Sequence, residues 1–130
     1  MSAHHFFREF SYCDSGMIPW LLVLAIMSET GKPLSDLVAE RMRRYPASGE
    51  INRRVADPTA AIRRIKAHYG PTARGVDDTD GVGIEFDRWR FNLRASNTEP
   101  LIRLNVESRG DAALMQEKTA EVLEALERES

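Results

Sequence analysis

Hydrophobic positions along this chain change their period repeatedly, and each change marks an element. The opening stretch MSAHHFFREFSYCDSG holds aromatics and histidines without a clean period. From Ile18 to Met27 nearly every position is apolar; Pro19 suits the first turn of a helix reaching about Glu29, and Gly31 supplies its C-terminal stop. A helix apolar all round is expected to be buried all round. Leu34, Leu37, Val38, Met42 and Tyr45 then recur at helical spacing with Asp36, Glu40, Arg41, Arg43 and Arg44 on or near the wet side, predicting an amphipathic helix that ends before Pro46.

The proline, serine and glycine of YPASGE separate two unlike patterns, so the chain is divided there into residues 1–46 and 47–130. The second part opens with a strand over residues 50–55. Asp57 as N-cap and Pro58 at the first helical position start a helix with an inner stripe of Ile62, Ile65 and Tyr69, closed by Gly70 and Pro71. A strand near residues 73–77 meets the hairpin signal Asp80-Gly81. Alternation then puts Val82, Ile84 and Phe86 on one face, and Trp89, Phe91, Leu93 and Ala95 on one face of the next strand, leaving Arg90, Asn92 and Arg94 on the other. Ile102, Leu104 and Val106 face inward on the last strand, with Arg103, Asn105 and Glu107 outward. A final helix carries Ala112, Met115, Val122, Leu123 and Leu126 inside. The predicted class is α+β: an antiparallel sheet with helices on one face and its other face open.

Composition narrows the function classes. With 42% hydrophobic and 29% charged residues the chain is globular, and 18 basic against 20 acidic residues give no overall field for nucleic acid or an anionic membrane. Any anion site must therefore be local. A single cysteine, Cys13, makes no internal disulfide, which fits a reducing cytoplasm. The apolar run at residues 17–27 is too short to span a bilayer, which takes about 20 residues. It also lacks the basic lead and cleavage site of a signal peptide.

The stretch RASNTEP, residues 94–100, concentrates polar chemistry at one strand end. Arg94 and Arg103 share the uncovered face, with Ser96, Asn97 and Thr98 between them. Guanidinium forks, hydroxyls, an amide and the N–H groups of a tight bend together make a cup for a dianion. Composition alone favours a plain turn, because serine and asparagine readily bond their own backbone.

RASNTEPLIRLNVES resembles the phosphate-binding loop of the alpha-D-phosphohexomutases, which runs Arg-x-Ser-[Asn/Gly]-Thr-[Glu/Thr]-Pro. MSAHHFF resembles the same family's sugar-recognition loop, Gly-Glu-Met-Ser-x-His, and YCDSGMIPWLL and YPASGEIN resemble the segments that link the two in bacterial phosphomannomutases. The resemblance implies that Arg94, Ser96, Asn97 and Thr98 hold the phosphate not undergoing transfer, with Arg103 where many members keep a basic residue. It implies that Ser2 contacts sugar hydroxyls and that His4 is catalytic, while His5 has no counterpart and Asp14 no assigned role. The implied architecture is the helical end of an α/β domain three, residues 1–46, followed by domain four, a TATA-binding-protein-like sheet over residues 47–130. The implied reaction interconverts mannose 6-phosphate and mannose 1-phosphate, with glucose phosphates as further substrates. It passes through a phosphoserine and a bisphosphorylated sugar. The Gly-Glu pair that precedes the methionine in the family's sugar loop is missing before Met1, and its serine loop and Asp-x-Asp-x-Asp-Arg magnesium loop do not occur in these 130 residues. Magnesium is thus expected only in the longer enzyme, no metal ligand is assigned here, and the segment alone is expected to be inactive.

Other signals weigh less. His4 and His5 lack a third ligand at metal spacing, and DDTDG, residues 77–81, reads as a hairpin turn because Val76 stands where an EF-hand's first carboxylate belongs. The arginines at 41, 43, 44, 53, 54, 63 and 64 read as a solvated surface. The competing function is a nucleic-acid or protein interaction module on the open sheet face. Cys13 reads as a packed thiol, and Trp89 and Phe91 as core. Without the rest of domain three, the helix at residues 18–29 is expected either to be poorly anchored or to find a substitute partner in a dimer.

Overall fold

The computed structural model describes residues 4–96 and 98–127; Ser2 and Asn97 lie outside the described residues. The chain forms two compact units, Met1–Arg41 and Met42–Ser130.

In the first unit, β1 (Phe6–Phe7) and β2 (Cys13–Asp14) form an antiparallel hairpin with Phe6 opposite Asp14 and Phe7 opposite Cys13. The chain reverses through a 3-10 turn at Arg8–Phe10 and through Ser11 and Tyr12, both left-handed at φ 53° and 55°. Strands this short carry no readable alternation, so the sequence pattern could not show them. Helix α1 spans Met17–Thr30 with Gly31 left-handed beyond it at φ 64°, as its apolar run predicts. Helix α2 spans Leu34–Arg44.

Two expectations fail here. No residue of α1 is buried, and Trp20, Leu21 and Leu22 are each more than half exposed. A unit of this size has too few elements to enclose a helix that is apolar around its whole circumference. Cys13 is exposed as well, on a two-residue strand of which both residues are exposed.

The second unit is built on one antiparallel sheet. Its strands are β3 (Ile51–Arg54), β4 (Gly75–Asp77), β5 (Val82–Glu85), β6 (Trp89–Ala95) and β7 (Leu101–Ser108), in the order β3-β7-β6-β5-β4. Helices α3 (Pro58–Tyr69) and α4 (Ala112–Glu127) cover one face. The core follows the strand alternation: Val82, Ile84, Phe91, Leu93, Ile102, Leu104 and Val106 are buried against Ala61, Ile65, Tyr69, Val122 and Leu126. Burying one such side chain stabilises by about 1.5–3 kcal/mol, and this face carries the stability of the unit. Trp89 and Ile62 pack at its margin, whereas Ala95 and Ala112, expected inside, are exposed. Each is the end residue of its element, beyond the reach of the opposing layer.

Local chemistry sets the element ends. The Asp57 carboxylate accepts from the Ala60 N–H at 2.9 Å and caps α3, and Asp111 accepts likewise from Leu114 at 2.9 Å at the start of α4. Gly81, at φ 75°, turns β4 into β5 where a Cβ would lie 2.3 Å from the Leu93 carbonyl oxygen. Only glycine fits both the conformation and the space. The YPASGE stretch does not hang free of the sheet. The Ser48 N–H donates to Val106 O at 2.9 Å and Ser108 N–H to Pro46 O at 3.0 Å, so residues 46–48 run beside β7 up to Glu50.

Candidate phosphate-binding site

Register brings the two arginines of the RASNTEP region together. Arg94 on β6 stands directly opposite Arg103 on β7, one pair before the bend, and the alternation that buries Leu93 and Leu104 turns both side chains to the open face. Like charges opposite each other on a sheet repel, so the pair needs an anion. Glu50 supplies one. Arg94 Nη2 donates to Glu50 Oε2 at 3.3 Å, and Arg103 Nη1 lies 3.3 Å from Oε1, one oxygen for each guanidinium. Asp80 Oδ2 stands 4.0 Å from Arg94 Nη1.

These contacts are long for charge-assisted bonds, which run at about 2.7–2.9 Å. They are also incomplete: Arg103 Nε is buried with no hydrogen-bond partner among the described residues. Leaving such a donor unmet costs about 1–3 kcal/mol. The arginines, both about a third exposed, are therefore neither free nor well satisfied.

The bend closes beside them. The Ser96 N–H donates to Leu101 O at 2.9 Å, the Thr98 N–H lies 3.4 Å from Ser96 Oγ, and the two hydroxyl oxygens are 3.4 Å apart. Val55 N–H donates to Pro100 O at 3.3 Å, tying the bend to the end of β3. Hydroxyl donors and paired guanidinium groups thus sit at one strand end, held by the same hairpin.

Two other arginines near the open face have shorter contacts with carboxylates. Arg90 grips one oxygen of Glu107 through Nε at 2.9 Å and Nη2 at 2.7 Å, and Arg109 meets Glu85 at 3.1 Å. The bend end is where long arginine contacts and an unmet donor coincide.

His4 belongs to the first unit. Its Nδ1 lies 2.5 Å from Asp14 Oδ2, and the His5 backbone N–H donates to Asp14 Oδ1 at 3.1 Å. The His4 hydrogen bond is the main cause that holds the Asp14 carboxyl below the usual range. Among the described residues no group of three or more His, Cys, Asp and Glu side chains could hold a metal ion. The described residues therefore do not fit a magnesium site.

Sequence reasoning missed Glu50 and the partner of Asp14. Glu50 had a signal: two arginines on one uncovered face demand a counter-charge, and position 50 shares the parity of the exposed residues 52 and 54. Asp14 had none, because its contact depends on a hairpin with no sequence period.

Comparison with known proteins finds relatives over nearly the whole chain. The family profile for "Phosphoglucomutase/phosphomannomutase, C-terminal domain" matches residues 50–125, and that for "Phosphoglucomutase/phosphomannomutase, alpha/beta/alpha domain III" matches residues 1–45. A phosphomannomutase of Salmonella montevideo is 60% identical over 126 residues, covering 97% of this chain and 28% of the relative. A protein named for phosphohexose mutases from Xanthomonas campestris pv. campestris is 59% identical over 122 residues, covering 94% and 27%. A phosphomannomutase of Escherichia coli K12 is 56% identical over 126 residues, covering 97% and 28%. This chain spans little more than a quarter of their length. The chain belongs to the phosphoglucomutase/phosphomannomutase family and corresponds to its C-terminal portion.

Proposed function

We propose that residues 47–130 form the phosphate-holding domain four of a phosphomannomutase and that residues 1–46 contribute the sugar-facing end of its domain three. Arg94, Ser96, Asn97, Thr98 and Arg103 grip the substrate phosphate that stays in place, Ser2 contacts the sugar hydroxyls, and His4 handles the proton of the hydroxyl that is phosphorylated. In the longer enzyme a phosphoserine passes its phosphoryl group to mannose 6-phosphate, with glucose phosphates as further substrates. The bisphosphorylated sugar turns around and returns its other phosphate to the serine, leaving mannose 1-phosphate. The enzyme works in the cytoplasm with magnesium held outside this segment. The uncovered apolar surface of α1 packs against the rest of the longer protein, or against a second copy when the segment stands alone.

The observation that carries this reading is the Glu50 carboxylate bridging Arg94 and Arg103 beside the Ser96–Thr98 bend. An acidic group already seated there marks the position that an anion takes. A phosphate dianion brings more charge and more acceptor oxygens than the carboxylate, and each hydrogen bond to a charged group contributes about 1.5–3 kcal/mol. A site that recognises phosphate through arginine and bend donors, and not the sugar, accepts the substrate in both orientations, as the reaction demands.

The test is a chimera in which this segment replaces the aligned quarter of the Salmonella montevideo relative. It should interconvert mannose phosphates. A chimera that folds yet shows no turnover, beside an active parent, would remove the proposal.

A further inference from the structure

The hairpin β1–β2 does more than lead into α1. Its register sets Asp14 opposite Phe6, two residues past His4, so that one carboxylate reaches both histidines' segment. Oδ1 accepts the backbone N–H of His5 at 3.1 Å, which fixes the carboxylate, and Oδ2 meets His4 Nδ1 at 2.5 Å. Two anchored oxygens leave the carboxylate little freedom to rotate. His4 remains largely exposed, at 65% of its side chain, while its Nδ1 edge is occupied.

We infer that Asp14 is the positioning residue of His4, fixing the imidazole as the Nδ1–H tautomer so that Nε2 carries the lone pair facing the substrate hydroxyl. The inference rests on the reading of His4 as the proton-handling residue. A carboxylate accepts and does not donate, so a neutral imidazole bonded to it through Nδ1 must place its proton there. Nε2 is then the basic nitrogen. When it takes the proton of a sugar hydroxyl during phosphoryl transfer, the imidazole becomes a cation, and the adjacent carboxylate stabilises that charge without itself being protonated. The depressed titration of Asp14 agrees, because its main cause is this hydrogen bond.

The tautomer is measurable without substrate, which separates this inference from the phosphate-holding proposal. Imidazole nitrogen shifts of the 15N-labelled chain, read at pH about 8.5 where an ordinary histidine is neutral, should show His4 mainly as Nδ1–H. In Asp14→Ala the population should pass mainly to Nε2–H, while cross-strand contacts between Phe7 and Cys13 report whether the hairpin persists. A wild-type His4 already in the Nε2–H form overturns the inference whatever the variant does. So does a tautomer unchanged in Asp14→Ala with the hairpin intact. In the active chimera, Asp14→Ala should lower kcat by about 100-fold or more with little change in KM. Asp14→Glu should recover part of that loss. Equal losses in kcat and affinity, with no recovery, would mark Asp14 as a fold residue only and also overturn the inference.

Discussion

Replacing Glu50 by glutamine keeps the side chain's size and removes its charge from between two guanidinium groups. The structure predicts opposite effects on folding and on binding. Without the carboxylate, Arg94 and Arg103 face each other across β6 and β7 as like charges with only the more distant Asp80, 4.0 Å from Arg94, beside them. A cross-strand pair of this kind is worth about 0.2–1 kcal/mol, which for a unit of this size lowers Tm by a few degrees, up to about 8 °C. Phosphate binding should instead strengthen. In water, two unit charges about 4 Å apart interact by about 1 kcal/mol, so a carboxylate opposes a neighbouring dianion by about 2 kcal/mol. Screening at 0.15 M salt, with a Debye length of about 8 Å, reduces this to about 1 kcal/mol. Inorganic phosphate should therefore bind Glu50→Gln about fivefold more tightly than the parent chain. Calorimetric titration gives the affinity, and thermal melts with and without phosphate give the stability. A variant that is less stable alone and rescued more strongly by phosphate is the expected signature. Equal or weaker phosphate binding would mean that Glu50 braces the arginines rather than occupying the anion's place, and the reasoning would fail.

Tyr69 gives a pH test. Burial, followed by the adjacent Glu121 carboxylate, raises its phenol well above the ordinary tyrosine range. A group raised on folding contributes stability that is complete below its unfolded value, about 10. That contribution is lost progressively at higher pH. Stability should therefore decline above about pH 10, and Tyr69→Phe should flatten this limb of a denaturation series; an unchanged limb would refute it. Gly81→Ala combines a left-handed φ of 75° with a Cβ at 2.3 Å from Leu93 O, contacts that fall on backbone and cannot be relieved by a rotamer. It should cost more than about 1 kcal/mol, the ordinary penalty for such a residue, read as a shifted urea midpoint at constant slope.

The second unit was largely legible because its signals are local and repeated. Alternation named the buried residues of β5, β6 and β7, and Asp57-Pro58 and Asp80-Gly81 mark a helix start and a hairpin through their own backbone chemistry. The same alternation put Arg94 and Arg103 on one face, but only the register shows them opposite each other and sharing Glu50. The Glu50 contact joins residues more than 40 positions apart, and no local pattern carries such information. In the first unit periodicity reported composition, not environment: α1 is apolar all round and forms a helix, yet nothing in the described unit encloses it. The His4–Asp14 contact was hidden because strands of two residues have no period to read.

The most direct test of the phosphate cup is a titration of the 15N-labelled chain with mannose 1-phosphate, set beside unphosphorylated mannose and the Arg94→Ala variant. Saturable shifts are expected at Ser96, Thr98 and the ends of β6 and β7 with the phosphate ester alone. Affinity should be about 100-fold weaker in the variant, the loss of roughly two charge-assisted hydrogen bonds at the low end of their range. Absence of shifts at millimolar ligand, or the same shifts in Arg94→Ala, would contradict the phosphate cup.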